Sequence, residues 1–157
     1  MNHLCNIQGE VTLVRYKNAV PFQTIFVRNK IVNGGLNFFV NKIAGNTTGQ
    51  ITKMKIGTDS RATELEYTDL FGNTIVTNPI RFIGIPSANF GEIIFETYFD
   101  TTFDDPDTFT IVEIGLFAED DTMIARTVLE ENNRFSKTPE ETLSLSWRII
   151  FGGENET

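Results

Sequence analysis

The chain has 157 residues, 40% hydrophobic and 22% charged, with a formal net charge of −8 and a pI near 4.6. That length suits one domain with its own core, and the composition excludes global disorder. The acidic balance excludes nucleic acid and anionic membrane as main partners, because phosphate binding needs a concentrated basic surface.

The first predicted elements lie in "GEVTLVRYKNAVPFQTIFVRN", which reads as two short strands around Pro21. Val11, Leu13 and Arg15 share one face by alternation, and Thr12, Val14 and Tyr16 the other. Residues 1–28 therefore form an N-terminal hairpin or an arm laid on the sheet. In "NKIVNGGLNFFVNKIAGNTTG", Val32, Leu36, Phe39, Val40 and Ile43 recur at helical spacing. This predicts a helix near 33–44, capped by Asn33, stopped by Gly45 and weakened at its start by Gly34 and Gly35. Its apolar stripe is expected to pack on a sheet.

"QITKMKIGTDS" reads as a strand, and the polar, aperiodic "TDSRATELEYTDLFGN" as a long surface loop. Loops of that length usually carry contacts. "TIVTNPIRFIGIP" and "GEIIFETYFD" are further strands, Pro79 and Pro86 keeping parts of the first from central positions. "TFTIVEIGLFAEDDTMIARTVL" reads as strand, acidic turn, strand. In "ETLSLSWRIIFGG", Leu143, Leu145, Trp147, Ile149 and Phe151 alternate with Thr142, Ser144, Ser146 and Arg148, a clean strand. The 14 Phe, against three Tyr and one Trp, also favour a sheet-rich core. The expected fold is mainly β, an antiparallel β-sandwich or flattened barrel with one packed helix. Residues 29–151 form its core domain, and 152–157 a solvated tail.

Chemistry-bearing residues are sparse. His3 is the single histidine and Cys5 the single cysteine, so an internal disulfide, a cysteine-based zinc site and a histidine-centred triad are excluded. No basic region precedes a long apolar run at the start, and no stretch approaches a membrane span, which predicts a chain kept in a cytoplasm-like compartment without membrane insertion. No phosphate-cradling loop is present, and no cofactor is expected. Asp100, Asp104, Asp105 and Asp107 in "DTTFDDPDTF" offer hard oxygen ligands of the kind calcium takes, in a spacing unlike an EF-hand; a plain Asp/Pro turn is the alternative. Glu119, Asp120 and Asp121 suit a hairpin tip.

Glu113 sits inside an apolar strand, between Val112 and Ile114. Covered, it needs a partner, because an unpaired buried charge costs several kcal/mol. Arg126, Arg81 or a neighbouring subunit would serve; on an open face it is simply solvated. No second polar group accompanies it on its strand, so a structural charge is expected and no catalytic residue is assigned. Tyr67 and Phe71 in the long loop are candidates for an interface.

Four stretches, "ITKMKIGTDS" (51–60), "PIRFIG" (79–84), "IVEIGLFAEDDTMIAR" (111–126) and "RFSKTPEETLSLSWRIIF" (134–151), together with the helix before them, resemble the N-terminal module of phage tail-collar fibre proteins and related short virion proteins. The "EIGLF…DDTMIA" block followed by "FSK" is the distinctive part. The likeness spans about residues 30–151. Here "KIGTD" replaces the family's more usual Gly-Asp ending, and no fibre shaft follows the last strand. The resemblance implies an attachment module without the fibre: a bacteriophage structural protein of tail, baseplate or neck. It would be assembled in the host cytoplasm, would form homo-oligomers and would bind other virion proteins. A capsid decoration protein is the alternative in the same class. A carbohydrate-binding β-sandwich is the alternative from another class, for which Tyr67, Phe71, Tyr98 and Phe103 are the aromatic candidates.

Overall fold

Alternation of apolar and polar residues, short turns and a single helical stretch give one curled antiparallel sheet forming a half-barrel, with one helix packed on it. The structure is a computed structural model and describes residues 6–73, 75–88, 90–100 and 110–152. In chain order the main elements are β1 (Ile7–Lys17), β2 (Val20–Ile31), α1 (Asn33–Ile43), β3 (Ile51–Gly57), β4 (Ile75–Pro79), β5 (Phe82–Gly84) and β6 (Glu92–Phe99). They continue as β7 (Thr110–Ile111), β8 (Glu113–Ala118), β9 (Met123–Val128), β10 (Phe135–Ser136) and β11 (Glu141–Phe151). Nine strands run β4-β3-β8-β9-β2-β1-β11-β6-β5; β7 and β10 form a separate pair.

The two edge strands are neighbours in sequence. Between them, the Ile80 N–H donates to the Thr52 carbonyl and the Arg81 N–H to the Glu96 carbonyl, each at 2.8 Å. The segment thus leaves the β3 ladder and joins the β6 ladder within two residues, which blunts both ends of the sheet. Pro79 is the last residue of β4, where its missing N–H does no harm.

β1 and β2 pair as the expected hairpin, but that hairpin is no arm laid on the sheet. They lie in the middle of the sheet, β1 paired with β11 over its full length. Val11, Leu13 and Ile25 belong to the same core as Phe95, Leu145 and Trp147. Burying each such side chain stabilises by about 1.5–3 kcal/mol. The hairpin turn is at Asn18–Ala19, both with positive φ (52° and 62°), and not at Pro21. Positive φ at both central residues is the two-residue turn whose twist matches that of the strands.

α1 also differs from its expected setting. Val32, not Asn33, is the N-cap, with no side-chain cap. Gly34 and Gly35 stand at the helix start because β9 passes close by: a Cβ on Gly35 would collide with the Ile124 carbonyl oxygen. Gly35 and Phe39 are buried, whereas Leu36, Val40 and Ile43 are exposed. The helical period was legible, but its contact face is set by the glycines. Gly45, at φ 72°, stops the helix as expected.

Candidate functional site

The core strand β8 is buried at every position. Ile114 and Leu116 enter the main core. Glu113 and Phe117, on the other face, lie under the segment 58–73, where Leu70 and Tyr67 pack with Val32, Phe117 and Met123. The long loop is therefore a roof, and Glu113 is its anchor.

Glu113 and Arg126 are both fully buried and form an ion pair between paired strands. Arg126 Nη2 and Nε donate to Glu113 Oε2 at 2.8 and 3.0 Å. Glu113 Oε1 accepts backbone N–H groups of Gly72 (2.7 Å), Phe71 (3.2 Å) and Asp59 (3.3 Å). Arg126 Nη1 donates to the Arg61 carbonyl (2.7 Å) and Thr63 Oγ1 (3.0 Å). Each end of the pair thus holds backbone or side chain of the roof. A buried pair persists only with such saturation, since desolvating two charges is otherwise unfavourable.

Two glycines make room. A Cβ on Gly57 would stand 2.5 Å from Glu113 Oε1, and one on Gly72 2.5 Å from the Thr58 nitrogen. The roof is reinforced outside: Arg61 pairs with Asp59 at 2.8 Å and lies 4.1 Å over the Phe71 ring. The hydrogen-bonded Arg61 guanidinium holds the Asp59 carboxyl below its ordinary range, burial opposes this, and Arg126 adds to it. Tyr67 meets Phe71 edge-on with centroids 4.6 Å apart. Both rings are half-buried in the roof, so they hold the loop to the sheet instead of standing out for a partner.

Of the two arginines proposed for Glu113, Arg126 is the partner. Arg81 is exposed at the crossing between β4 and β5, its N–H bonded to the Glu96 carbonyl. Asp100 ends up exposed just after β6; Asp104, Asp105, Asp107 and Phe103 lie outside the described residues, as do His3 and Cys5. Among the described residues no group of three His, Cys, Asp or Glu could hold a metal ion. The acidic hairpin tip does two jobs. Asp120 accepts the Thr122 N–H at 3.0 Å, and Asp121, at φ 67°, pairs with Lys53 at 2.6 Å and Lys55 at 3.5 Å. The Thr122 N–H and the Lys53 ammonium, respectively, lower the two carboxyls.

A second charged cluster escaped the sequence reading. Arg15 grips buried Glu141 through Nε and Nη2 at 2.8–3.1 Å, donates to Gln23 Oε1 at 2.7 Å, and lies over Phe135 (4.0 Å) and Phe22 (4.8 Å). Lys137 of the "FSK" stretch is buried beside it, its Nζ donating to the Thr138 carbonyl at 3.2 Å. Burial pushes its ammonium pKa down, while Glu141 and Asp100 pull it up. The one sequence signal was a phase: Arg15 continues the inward row of Val11 and Leu13.

Among the described residues no helix is long and apolar enough to cross a membrane. No family model matches the chain, and no curated protein and no solved structure matches it.

Proposed function

We propose that the protein is a structural subunit of a bacteriophage virion, a tail, baseplate or neck adaptor that attaches fibres or neighbouring subunits. One observation carries the reading. The stretches 51–60 and 111–126, which bear the likeness to the tail-collar module, supply Gly57, Asp59, Glu113 and Arg126 to a single sealed clasp. Stretches far apart in sequence that share one load-carrying contact have a physical reason to occur together. The clasp's polar groups are spent on the chain itself, which suits a rigid building block that assembles through its surface. The same argument fits a capsid decoration protein, which would sit on the head lattice.

The carbohydrate-binding alternative keeps Tyr98, which is exposed on the outer face of β6 beside Ser144. Tyr67 and Phe71 are engaged in the roof.

Mass spectrometry of gradient-purified particles from the strain that carries the gene tests the proposal. The chain should cofractionate with tails at a fixed ratio to other tail proteins. Recovery with heads stripped of tails would select the decoration reading, and absence from every particle would overturn both.

A further inference from the structure

We infer that the mouth of the half-barrel is a binding site for a small amphiphilic carboxylate, with an apolar body of about ten carbon atoms. β3 belongs to one flank of the sheet, and β5 and β6 to the other. Residues of both flanks, of β11 and of α1 line a single cavity of about 270 Å³. Its innermost residues, Phe39, Ile51 and Phe95, are buried. Phe38, Ile93 and Phe151 stand half-buried around them, and Ile83 is exposed at the rim. A buried floor under an exposed rim makes a pocket and not a flat patch.

The wall is held in place by the fold itself. Phe39 meets Phe38 edge-on with centroids 5.8 Å apart, and Phe151 edge-on at 5.1 Å. The Phe151 N–H donates to the Gly91 carbonyl at 2.8 Å, which fixes that strand end. The site thus exists before a ligand arrives, as pockets in the mouths of β-barrels commonly do. Its size sets the length of the ligand. A cavity of ~150 Å³ takes up benzene, about 25 Å³ per carbon atom, so this one has room for about ten.

The polar groups set the head of the ligand. The wall is apolar except for Lys42 and Gln50, and no carboxylate lines it. Lys42 makes no ion pair among the described residues. In a chain with 21 acidic and 13 basic residues, a cleft whose single charge is a cation selects an anion. The Lys42 ammonium and the Gln50 amide are both donors, and a carboxylate has the oxygens to take both. A cationic amphiphile would instead meet Lys42 with like charge. A membrane lipid brings two long acyl chains, more than this volume holds, so the ligand is a free acid. The inference is independent of the proposed place in a virion.

Calorimetric titration of the full chain with hexanoate, octanoate, decanoate and tetradecanoate, below their micelle-forming concentrations, tests the site. Affinity should rise about fourfold per added CH₂ up to decanoate and level off beyond it. Chemical-shift mapping with decanoate should move the ring signals of Phe38, Phe39 and Phe151. Lys42→Gln, at an exposed position, should keep the melting temperature and weaken octanoate about threefold to fivefold at low salt, while octanol binds as before. No binding at millimolar decanoate, shifts confined to other residues, or equal loss of octanoate and octanol in Lys42→Gln would each overturn the inference. Phosphatidylglycerol vesicles should leave the protein in the supernatant. Cosedimentation that decanoate displaces would assign the cavity to a membrane lipid and overturn it as well.

Discussion

Two buried charge clusters stand in this half-barrel, and they are built on opposite plans. Around Glu113 the carboxylate meets one guanidinium and three backbone N–H groups, and both charges are fully buried. Around Glu141 one carboxylate is gripped by Arg15 and shares its surroundings with buried Lys137. The first cluster uses charge to fasten 16 residues of irregular chain, 58–73, to a strand. The second lies between β1, β11 and β10 and fastens mainly side chains. Removing a partner should therefore unroof the molecule in the first case and only repack it in the second.

The largest effect should come from Arg126→Met. It strands a buried carboxylate, and the expected loss is about 3–5 kcal/mol by denaturant unfolding. The double change Glu113→Leu, Arg126→Met should lose less than Arg126→Met alone, because no uncompensated charge then remains. A double variant worse than the sum of its parts would break the account of the clasp. Gly57→Ala comes next. Its new methyl meets Glu113 Oε1, and it should destabilise by about 1–3 kcal/mol although no charged group is removed.

Lys137→Met should shift stability by no more than about 1 kcal/mol in either direction, since Arg15 still holds Glu141 and a desolvated ammonium is removed. The linkage has a definite sign. The folded-state pKa of Lys137 lies below 10.5, so between the two values the unfolded chain binds more protons. Stability contributed by this group therefore rises with pH as it approaches 10.5, and Lys137→Met should flatten that rise. The smallest change concerns the turn between β1 and β2. Ala19 adopts φ 62°, so Ala19→Gly should stabilise by about 0.5 kcal/mol in thermal unfolding, the relief of left-handed strain being partly offset by the chain entropy of glycine.

The difference between the clusters also explains what could be read from the sequence. β11 was legible because Leu143 to Ile149 alternate without interruption. Glu113 was legible as a problem because a charge breaks an apolar run, and Arg126 follows in the same hairpin. The roof was not legible. Its bonds to Glu113 come from the backbone N–H groups of Asp59, Phe71 and Gly72, which leave no side-chain signature. Gly57 and Gly72 were the only hints. Arg15, Glu141 and Lys137 escaped because each looks like an ordinary surface charge in its own stretch. Only the pairing of β1 with β11, 126 residues apart at Arg15 and Glu141, brings them together. In α1 the period was right and the phase was not, because close approach at Gly35 outweighed the larger apolar residues.

Native-state hydrogen exchange in wild type and Glu113→Gln tests the central claim, that Glu113 is the structural anchor of the roof. The amides of Asp59, Phe71 and Gly72 should be protected in the wild type. In Glu113→Gln they should exchange at least about tenfold faster than the change in global stability accounts for, while amides of β1 and β11 follow global stability alone. Equal protection of Phe71 and Gly72 in both proteins would contradict the account.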